Sequence, residues 1–216
     1  VAAPANPTGT MLDRSELQAL ADTCKTQGTA LISDEIYHGI GSRRPVSALE
    51  VTDDVYVVNS FSKYFSMTGW RVGWMVVPKD HVRAIERLAQ NMFICAPHAS
   101  QLLALHAMDC SEELDANCAV YARNRELLLK GLADLGLTEC APADGAFYIY
   151  ANVSHLTDDA LSFATQILAD AGVAVTPGLD FDPVAGKQWL RFSYARSTAD
   201  IEEGIARLSR FFEGVD

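Results

Sequence analysis

Residues 57–74 of the chain read VVNSFSKYFSMTGWRVGW. The apolar, β-branched run 55–58 predicts a short buried strand, and a second apolar run, 72–77, is stopped by Pro78. The polar turn between the two runs carries Lys63. A lysine held in a cleft is desolvated, which lowers its pKa, and its neutral amine can then attack a carbonyl carbon. A Ser-x-Ser-Lys turn alone is more typical of a solvated loop, so the interpretation of Lys63 depends on the rest of the chain.

The composition indicates a globular protein that does not bind nucleic acid. The chain has 216 residues, of which 49% are hydrophobic, enough for one large or two small domains with hydrophobic cores. There are 17 basic and 28 acidic residues, for a net charge of −11, and no basic run stands out. An anionic ligand must therefore be held by a few placed cations. No run of transmembrane length and no signal peptide is visible, so no membrane partner is expected.

The cysteines and the missing motifs narrow the function further. The five cysteines are Cys24, Cys95, Cys110, Cys118 and Cys140. Their number is odd and no pair has zinc-ligand or redox spacing, which favours a reduced, cytoplasmic protein. None of the five histidines has a partner at metal-site spacing, so no metal is expected. The dinucleotide, P-loop and serine-hydrolase motifs are also missing.

The first half of the chain alternates between helix and strand. A helix is predicted over about 17–26 and a short buried strand over 30–33. Asp34 lies at the carboxyl end of this strand. This alternation predicts a parallel α/β sheet, in which ligands bind at the carboxyl ends of the strands. Asp34 and Lys63 both follow such strands, so we expect them to lie close together.

The second half has a different pattern. A long helix over about 111–135 is typical of a connection between domains, which places the boundary between residues 108 and 109. Residues 109–216 then form a small α+β domain, whose final helix is capped by Thr198. The other predicted elements are helices over 79–92, 98–108, 158–170 and 199–212, and strands over 145–150, 173–176 and 189–194.

Four motifs hold the polar residues of interest. They are Asn-Pro-Thr-Gly with Asn6, Asp-Glu-Ile-Tyr with Asp34 and Tyr37, Ser-Phe-Ser-Lys-x₇-Arg with Ser60, Ser62, Lys63 and Arg71, and Leu-Arg-Phe-Ser-Tyr-Ala with Arg191. In this order, they resemble the motifs of the class I/II aminotransferases, pyridoxal phosphate enzymes of fold type I that include aspartate aminotransferase. The resemblance covers nearly the whole chain.

The resemblance implies a role for each residue around the cofactor ring. Lys63 would form the internal Schiff base with pyridoxal 5'-phosphate and, once displaced, carry a proton between the substrate α-carbon and the cofactor. Asp34 would pair with the pyridine nitrogen and keep it protonated, which makes the ring an electron sink. Tyr37 and Asn6 would hydrogen-bond the ring's 3′ oxygen.

The remaining residues would bind the anionic groups of the cofactor and the substrate. Ser60, Ser62 and Arg71 would hold the cofactor phosphate, with Arg71 supplying the positive charge. Arg191 would grip the α-carboxylate of the amino acid, because its planar guanidinium matches a carboxylate.

The resemblance also implies the fold and the extent of the protein. Residues 1–108 would be the second half of the large, mostly parallel-sheet pyridoxal phosphate domain, and residues 109–216 the small α+β C-terminal domain. Family members begin well upstream of Asn6, so an N-terminally truncated sequence is expected, and this fragment alone is expected to be inactive. The intact protein is expected to be a homodimer.

Three questions of function stay open at the level of sequence. The implied reaction is amino transfer from an α-amino acid to a 2-oxo acid. A pyridoxal phosphate lyase of the same fold would use the same cofactor residues, and a non-catalytic sensor domain of a transcription regulator has the same fold. In addition, Asp182 stands where relatives often carry Gly, in a loop that lines the substrate entrance, so the substrate preference is undecided.

Overall fold

The structure, a computed structural model, describes residues 1–214. The chain forms two compact units. Unit 1 comprises Val1–Pro4 and Met11–Cys118, and unit 2 comprises Ala5–Thr10 and the chain from Ala119 onward. The division falls inside a long helix, whereas the predicted domain boundary, between residues 108 and 109, precedes that helix. Because these units reflect contacts within this chain alone, the domain boundary stays a prediction.

Unit 1 contains a three-stranded sheet of order β1-β2-β3. Strands β1 and β2 are parallel, as predicted, and β3 is antiparallel to β2. The β2–β3 connection contains only a 3₁₀ turn, and without a crossover helix the chain reverses direction. The elements are α1 (Arg14–Gln27), β1 (Ile32–Asp34), β2 (Tyr56–Ser60), β3 (Gly73–Val76), α2 (Val82–Met92) and α3 (His98–Ala107).

Helix α1 is bounded by strong local signals. Asp13 caps its first turn by accepting a hydrogen bond from the Glu16 N–H at 2.9 Å, and the Glu16 carboxylate accepts one from the Asp13 N–H at 2.8 Å. Gly28 ends the helix in the left-handed conformation, at φ 64°. The buried face of the helix packs in a cluster of Leu17, Ala21, Leu31, Ala48, Val55 and Val57.

The sheet of unit 1 is covered unevenly by the described residues. Leu31 and Ser33 are buried, whereas Ile32 between them is 56% exposed. The prediction of a buried strand over 30–33 is therefore wrong for Ile32, because alternate residues of a strand face opposite sides of the sheet. All four residues of β3 are exposed too.

Unit 2 is built on an antiparallel sheet of order β4-β6-β5. Its elements are β4 (Tyr148–Asn152), α5 (Ala160–Ala171), β5 (Thr176–Pro177), β6 (Trp189–Ser193) and α6 (Thr198–Phe212), together with most of α4 (Ser111–Asp134). The core contains Leu132, Ile149, Ile167, Leu190 and Leu208, all 2% exposed or less. Within residues 1–214, no helix is both long enough and apolar enough to cross a membrane.

Three local predictions in unit 2 need correction. Ser197, not Thr198, caps α6, because the Ser197 hydroxyl accepts the Asp200 N–H at 3.2 Å and Thr198 is already helical. The strand predicted over 145–150 starts at Tyr148, since Ala146 has a positive φ of 59°. The strand predicted over 173–176 is reduced to the short β5, which includes Pro177, a residue that cannot donate a ladder hydrogen bond.

A close backbone approach in unit 2 gives the first testable prediction. A Cβ at Gly186 would lie 2.3 Å from the carbonyl carbon and oxygen of Gly178. Gly186→Ala should therefore lower the free energy of unfolding by about 1–3 kcal/mol, measured by urea denaturation. Gly204→Ala is the matched control. Gly204 lies in α6, and a Cβ there would have no neighbouring atom within 4 Å. Equal stability of the two variants would contradict the prediction.

Candidate functional site

The first cluster of predicted site residues lies at the carboxyl ends of β1 and β2. Asp34, the last residue of β1, pairs with Val58 in the parallel ladder. Its carboxylate is half-buried and accepts a hydrogen bond from the Ile36 N–H at 3.1 Å. Because β1 and β2 are parallel, Asp34 and the turn after Ser60 emerge at the same edge of the sheet, as the sequence predicts.

A buried carboxylate holds the loop that follows Asp34. Glu35 is 3% exposed and accepts hydrogen bonds from the Ala48 N–H at 2.8 Å, the Ser47 hydroxyl at 2.9 Å and the Ser33 hydroxyl at 3.2 Å. These hydrogen bonds offset the free-energy cost of burying the Glu35 carboxylate. The sequence analysis assigns Glu35 no role, although an acidic residue next to a buried strand is a signal of this kind of support. The loop places Tyr37, which is also buried.

His38 extends this network. Its Nδ1 lies 3.3 Å from a carboxylate oxygen of Glu35, and its Nε2 lies 3.1 Å from the carbonyl oxygen of Ala3. Burial lowers the pKa of His38 below its ordinary value, and the negative charge of Glu35 opposes this effect.

The turn after β2 is cross-linked by its own hydroxyl groups. The Ser60 hydroxyl donates to the Ser62 hydroxyl oxygen at 2.9 Å, and the Ser62 N–H donates to the Ser60 hydroxyl oxygen at 3.0 Å. The Thr68 hydroxyl donates to the Ser62 carbonyl at 2.7 Å. Lys63 is half-buried within this turn, and its Nζ lies 5.5 Å from the ring centroid of Tyr37. The structure thus brings Lys63 and Tyr37 together.

The residue after Lys63 is anchored to helix α4. The Tyr64 hydroxyl donates to the Asp115 carboxylate at 2.7 Å, and this bond, assisted by burial, raises the pKa of Tyr64 to about 12. The ring packs against Gly39, where a Cβ would lie 2.6 Å from a ring carbon. The sequence analysis missed this anchor. Tyr64 and Asp115 are 51 positions apart, so no helix or strand periodicity connects them.

Arg71 lies at the far end of the same turn. It has a positive φ of 52°, is exposed, and donates from its guanidinium to the Thr68 carbonyl at 2.9 Å. The Ser60 hydroxyl also lies 3.4 Å from the carbonyl oxygen of Val72, the residue after Arg71. The two serine hydroxyls and Arg71 therefore belong to one short connection, and such donors suit an anion.

The second cluster lies in unit 2 and is centred on Arg191. In the sheet, Arg191 is paired with Tyr150 of β4 on one side and with Thr176 of β5 on the other. One terminal guanidinium nitrogen donates to the Asn6 side-chain oxygen at 2.7 Å, and the other donates to the Thr176 hydroxyl at 3.1 Å. The resemblance implies that Asn6 and Arg191 belong to one site, but it does not predict their direct contact.

Aromatic rings cover the guanidinium of Arg191. Its Cζ lies 4.2 Å from the ring centroid of Tyr148 and 4.8 Å from that of Phe181. Its Nε is buried and, within residues 1–214, has no hydrogen-bond acceptor. A partly buried cation held by neutral groups is well suited to a ligand that brings a negative charge.

The donor set fits an organic phosphate cofactor with a basic ring. Unit 1 supplies a carboxylate for a positively charged ring nitrogen, an amine beside an aromatic ring, and two hydroxyls with a guanidinium for a phosphate. These six residues of unit 1 are Asp34, Tyr37, Ser60, Ser62, Lys63 and Arg71, and the two predicted residues of unit 2 are Asn6 and Arg191. Their individual roles stay predictions.

Comparisons with known proteins show the family of the chain. The family description "Aminotransferase class I and II" matches residues 1–208. A protein of Mycobacterium tuberculosis named valine–pyruvate aminotransferase is 47% identical over 96% of this chain. The chain spans only 55% of that relative's length.

Solved structures give the same result. A crystal structure from Silicibacter pomeroyi matches 99% of this chain with a TM-score of 0.96 and 65% identity, and the match covers 58% of that protein. A crystal structure of an aminotransferase from Mycobacterium tuberculosis matches 99% of this chain with a TM-score of 0.95 and 46% identity, and the match covers 56% of that protein.

The Glu35–His38 pair gives a prediction about pH. Glu35→Gln removes the negative charge that raises the pKa of His38, so the pKa of His38 should fall further, as measured by NMR titration of the imidazole. Because folding depresses this pKa, neutral His38 stabilises the fold above about pH 6.5, and that stability is lost as the pH falls through the folded value. Glu202→Gln, an exposed change on α6, should leave the titration of His38 unaltered. A higher pKa of His38 in the Glu35→Gln variant would contradict the interaction assigned to this pair.

Proposed function

Because the chain belongs to the family of class I and II aminotransferases, we propose that the whole protein carrying it moves an amino group from an α-amino acid to a 2-oxo acid. Members of this family generally depend on pyridoxal phosphate. The observation that carries the proposal is the cluster at the ends of β1 and β2, where Lys63 lies beside Tyr37 and follows the strand next to Asp34.

The cofactor supplies an aldehyde that bonds to amines and a ring that draws electrons from the attached carbon. Asp34 would accept a hydrogen bond from the protonated ring nitrogen, and a charge-assisted bond of this kind is about twice as strong as a neutral one. The bonds to Glu35 support this role, because they fix the chain immediately after Asp34. Asp34 would thereby keep the ring nitrogen in its positively charged form.

The serine turn would hold the phosphate. Arg71 supplies the positive charge, and the hydroxyls of Ser60 and Ser62 supply neutral donors. The two hydroxyls already hydrogen-bond each other in the structure, so each is oriented within the same short turn. Placed cations of this kind are needed here because the net charge of the chain is −11 and does not attract anions.

Lys63 would act twice. Its amine would hold the cofactor, and once free it would be the base that carries a proton from the substrate α-carbon. The anchor from Tyr64 to Asp115 supports this role because it limits movement of the turn that carries the amine. Tyr37 and Asn6 would donate to the ring oxygen next to the aldehyde, and the Asn6 oxygen is already occupied by Arg191.

Arg191 would bind the α-carboxylate that the amino acid and the oxo acid share. The relative named valine–pyruvate aminotransferase supports testing a small apolar amino acid with pyruvate first. Cytoplasmic location, drawn from the cysteines, and assembly as a homodimer, drawn from the resemblance, remain predictions.

Covalent labelling tests the cofactor site directly. The protein is mixed with pyridoxal phosphate, reduced with borohydride and mapped by mass spectrometry. We expect one cofactor per site on Lys63, no such label in Lys63→Ala, and unchanged labelling in Lys79→Ala, which replaces an exposed lysine. Labels scattered over several lysines would remove the support for Lys63 as the cofactor-binding residue.

A substrate panel separates amino transfer from the lyase alternative. Each amino acid is incubated with and without a 2-oxo acid, and the new amino acid, pyruvate and ammonia are measured. We expect product only when the 2-oxo acid is present, because the amino group has to be accepted by it. Release of ammonia without a 2-oxo acid would favour the lyase.

A further inference from the structure

The aromatic residues around Arg191 share one face of the sheet. Tyr150 is paired with Arg191, and Trp189 precedes Arg191 by two positions on β6, so their side chains point to the same side. The rings of Tyr150 and Trp189 are stacked at 4.9 Å, and Phe181 meets Tyr150 edge-on at 6.3 Å. Phe181 therefore contacts both the aromatic row and the guanidinium.

The loop that carries Phe181 is closed by its neighbour, Asp182. The Asp182 carboxylate accepts hydrogen bonds from the Val184 N–H at 2.8 Å and the Ala185 N–H at 3.1 Å. These bonds lower the pKa of Asp182, so the acceptor is ionised at neutral pH. The N–H groups of Phe181 and Asp182 both donate to the Gly178 carbonyl at 2.9 Å.

The two ends of this loop are closely packed where Gly178 meets Gly186. A Cβ at Gly178 would lie 2.5 Å from both the Tyr150 hydroxyl and the Gly186 carbonyl oxygen. The backbone on both sides of Phe181 is thus held by hydrogen bonds within the loop, and Phe181 has a defined position although it belongs to a loop.

We propose that Phe181 and Asp182 are positioning residues for Arg191. Asp182 closes the loop, and the loop holds Phe181 against the guanidinium, where Tyr148 also lies. Two hydrogen bonds from its terminal nitrogens, to Asn6 and Thr176, restrict its rotation. This inference rests on the proposed function, because it assigns the residues that orient the carboxylate-binding group.

The consequence is a carboxylate site with a set direction of approach. Each terminal nitrogen of Arg191 carries two N–H groups, and the bonds to Asn6 and Thr176 use one N–H of each nitrogen. The second N–H of each nitrogen can then donate to a carboxylate as a bidentate pair. The two ring contacts also add cation–π attraction to the bonds that hold the guanidinium. Since the amino acid and the oxo acid carry the same carboxylate, loss of this arrangement must weaken both to the same extent.

The test compares variants of the whole protein that carries this sequence. Phe181→Leu keeps an apolar side chain and removes the ring. We expect KM for the amino acid and for the oxo acid to rise together by about tenfold, equivalent to ~1.4 kcal/mol, with kcat nearly unchanged. Leu179→Ala, a change at an exposed residue of the same loop, should leave both KM values as in the wild type.

Asp182 is tested by a conservative pair. Asp182→Ala removes the acceptor and should raise both KM values by roughly fivefold. Asp182→Asn keeps an acceptor oxygen and should recover most of the wild-type affinity. Equal defects in the two variants would show that the negative charge, not loop closure, matters, and would overturn the role given to Asp182.

A binding measurement without turnover separates this inference from the proposed function. Calorimetry with butanoate, which has a carboxylate but no amino or oxo group, gives the affinity of the carboxylate site itself. Weaker butanoate binding in both Phe181→Leu and Arg191→Lys supports the inference, whether or not the wild type transfers an amino group. Absence of amino transfer by the wild type would count against the proposed function alone. Weaker binding in Arg191→Lys with wild-type binding in Phe181→Leu overturns the inference and leaves the function intact.

Discussion

The parallel pairing of β1 with β2 is the constraint on which the chemistry of unit 1 depends. Residues at the carboxyl ends of two adjacent parallel strands must emerge at the same edge, and the register of Asp34 with Val58 makes the two ends coincide. Asp34 and the Lys63 turn are therefore neighbours by topology. The backbone next to each residue is then held by bonds outside the sheet: Glu35 fixes the loop after Asp34, and Tyr64 fixes the turn at Lys63.

Register has the same importance in unit 2, where the strands are antiparallel. Arg191 lies on the central strand of its sheet, so it has a cross-strand neighbour on each side, Tyr150 and Thr176. A shift of one residue would move Arg191 to the opposite face and bury it in the apolar core with Leu190. The core alternation along β6 thus determines that the cation and the aromatic row share a face.

Sequence patterns could predict the elements and the motifs, because both are encoded locally. The capping pair Asp13 and Glu16 lies within one helical turn, and the serines around Lys63 lie within three residues. The partners that orient the site are encoded differently. Asn6 and Arg191 are 185 positions apart, and Tyr64 and Asp115 are 51 apart, so neither contact leaves a periodic signal. The same limit explains Ile32, whose burial depends on what covers the sheet and not on its own strand pattern.

Asp182 shows how a departure from a family pattern can act on the backbone. By resemblance, the loop lines the substrate entrance, and a charged residue there suggests a direct effect on the substrate. In the structure, the carboxylate instead accepts two N–H groups of its own loop. A glycine at this position would offer no side-chain acceptor and would have more conformational freedom to lose on folding. In this chain, the loop that bears Phe181 is therefore closed by hydrogen bonds. The Asp182 carboxylate is already engaged by its own loop in the absence of a ligand.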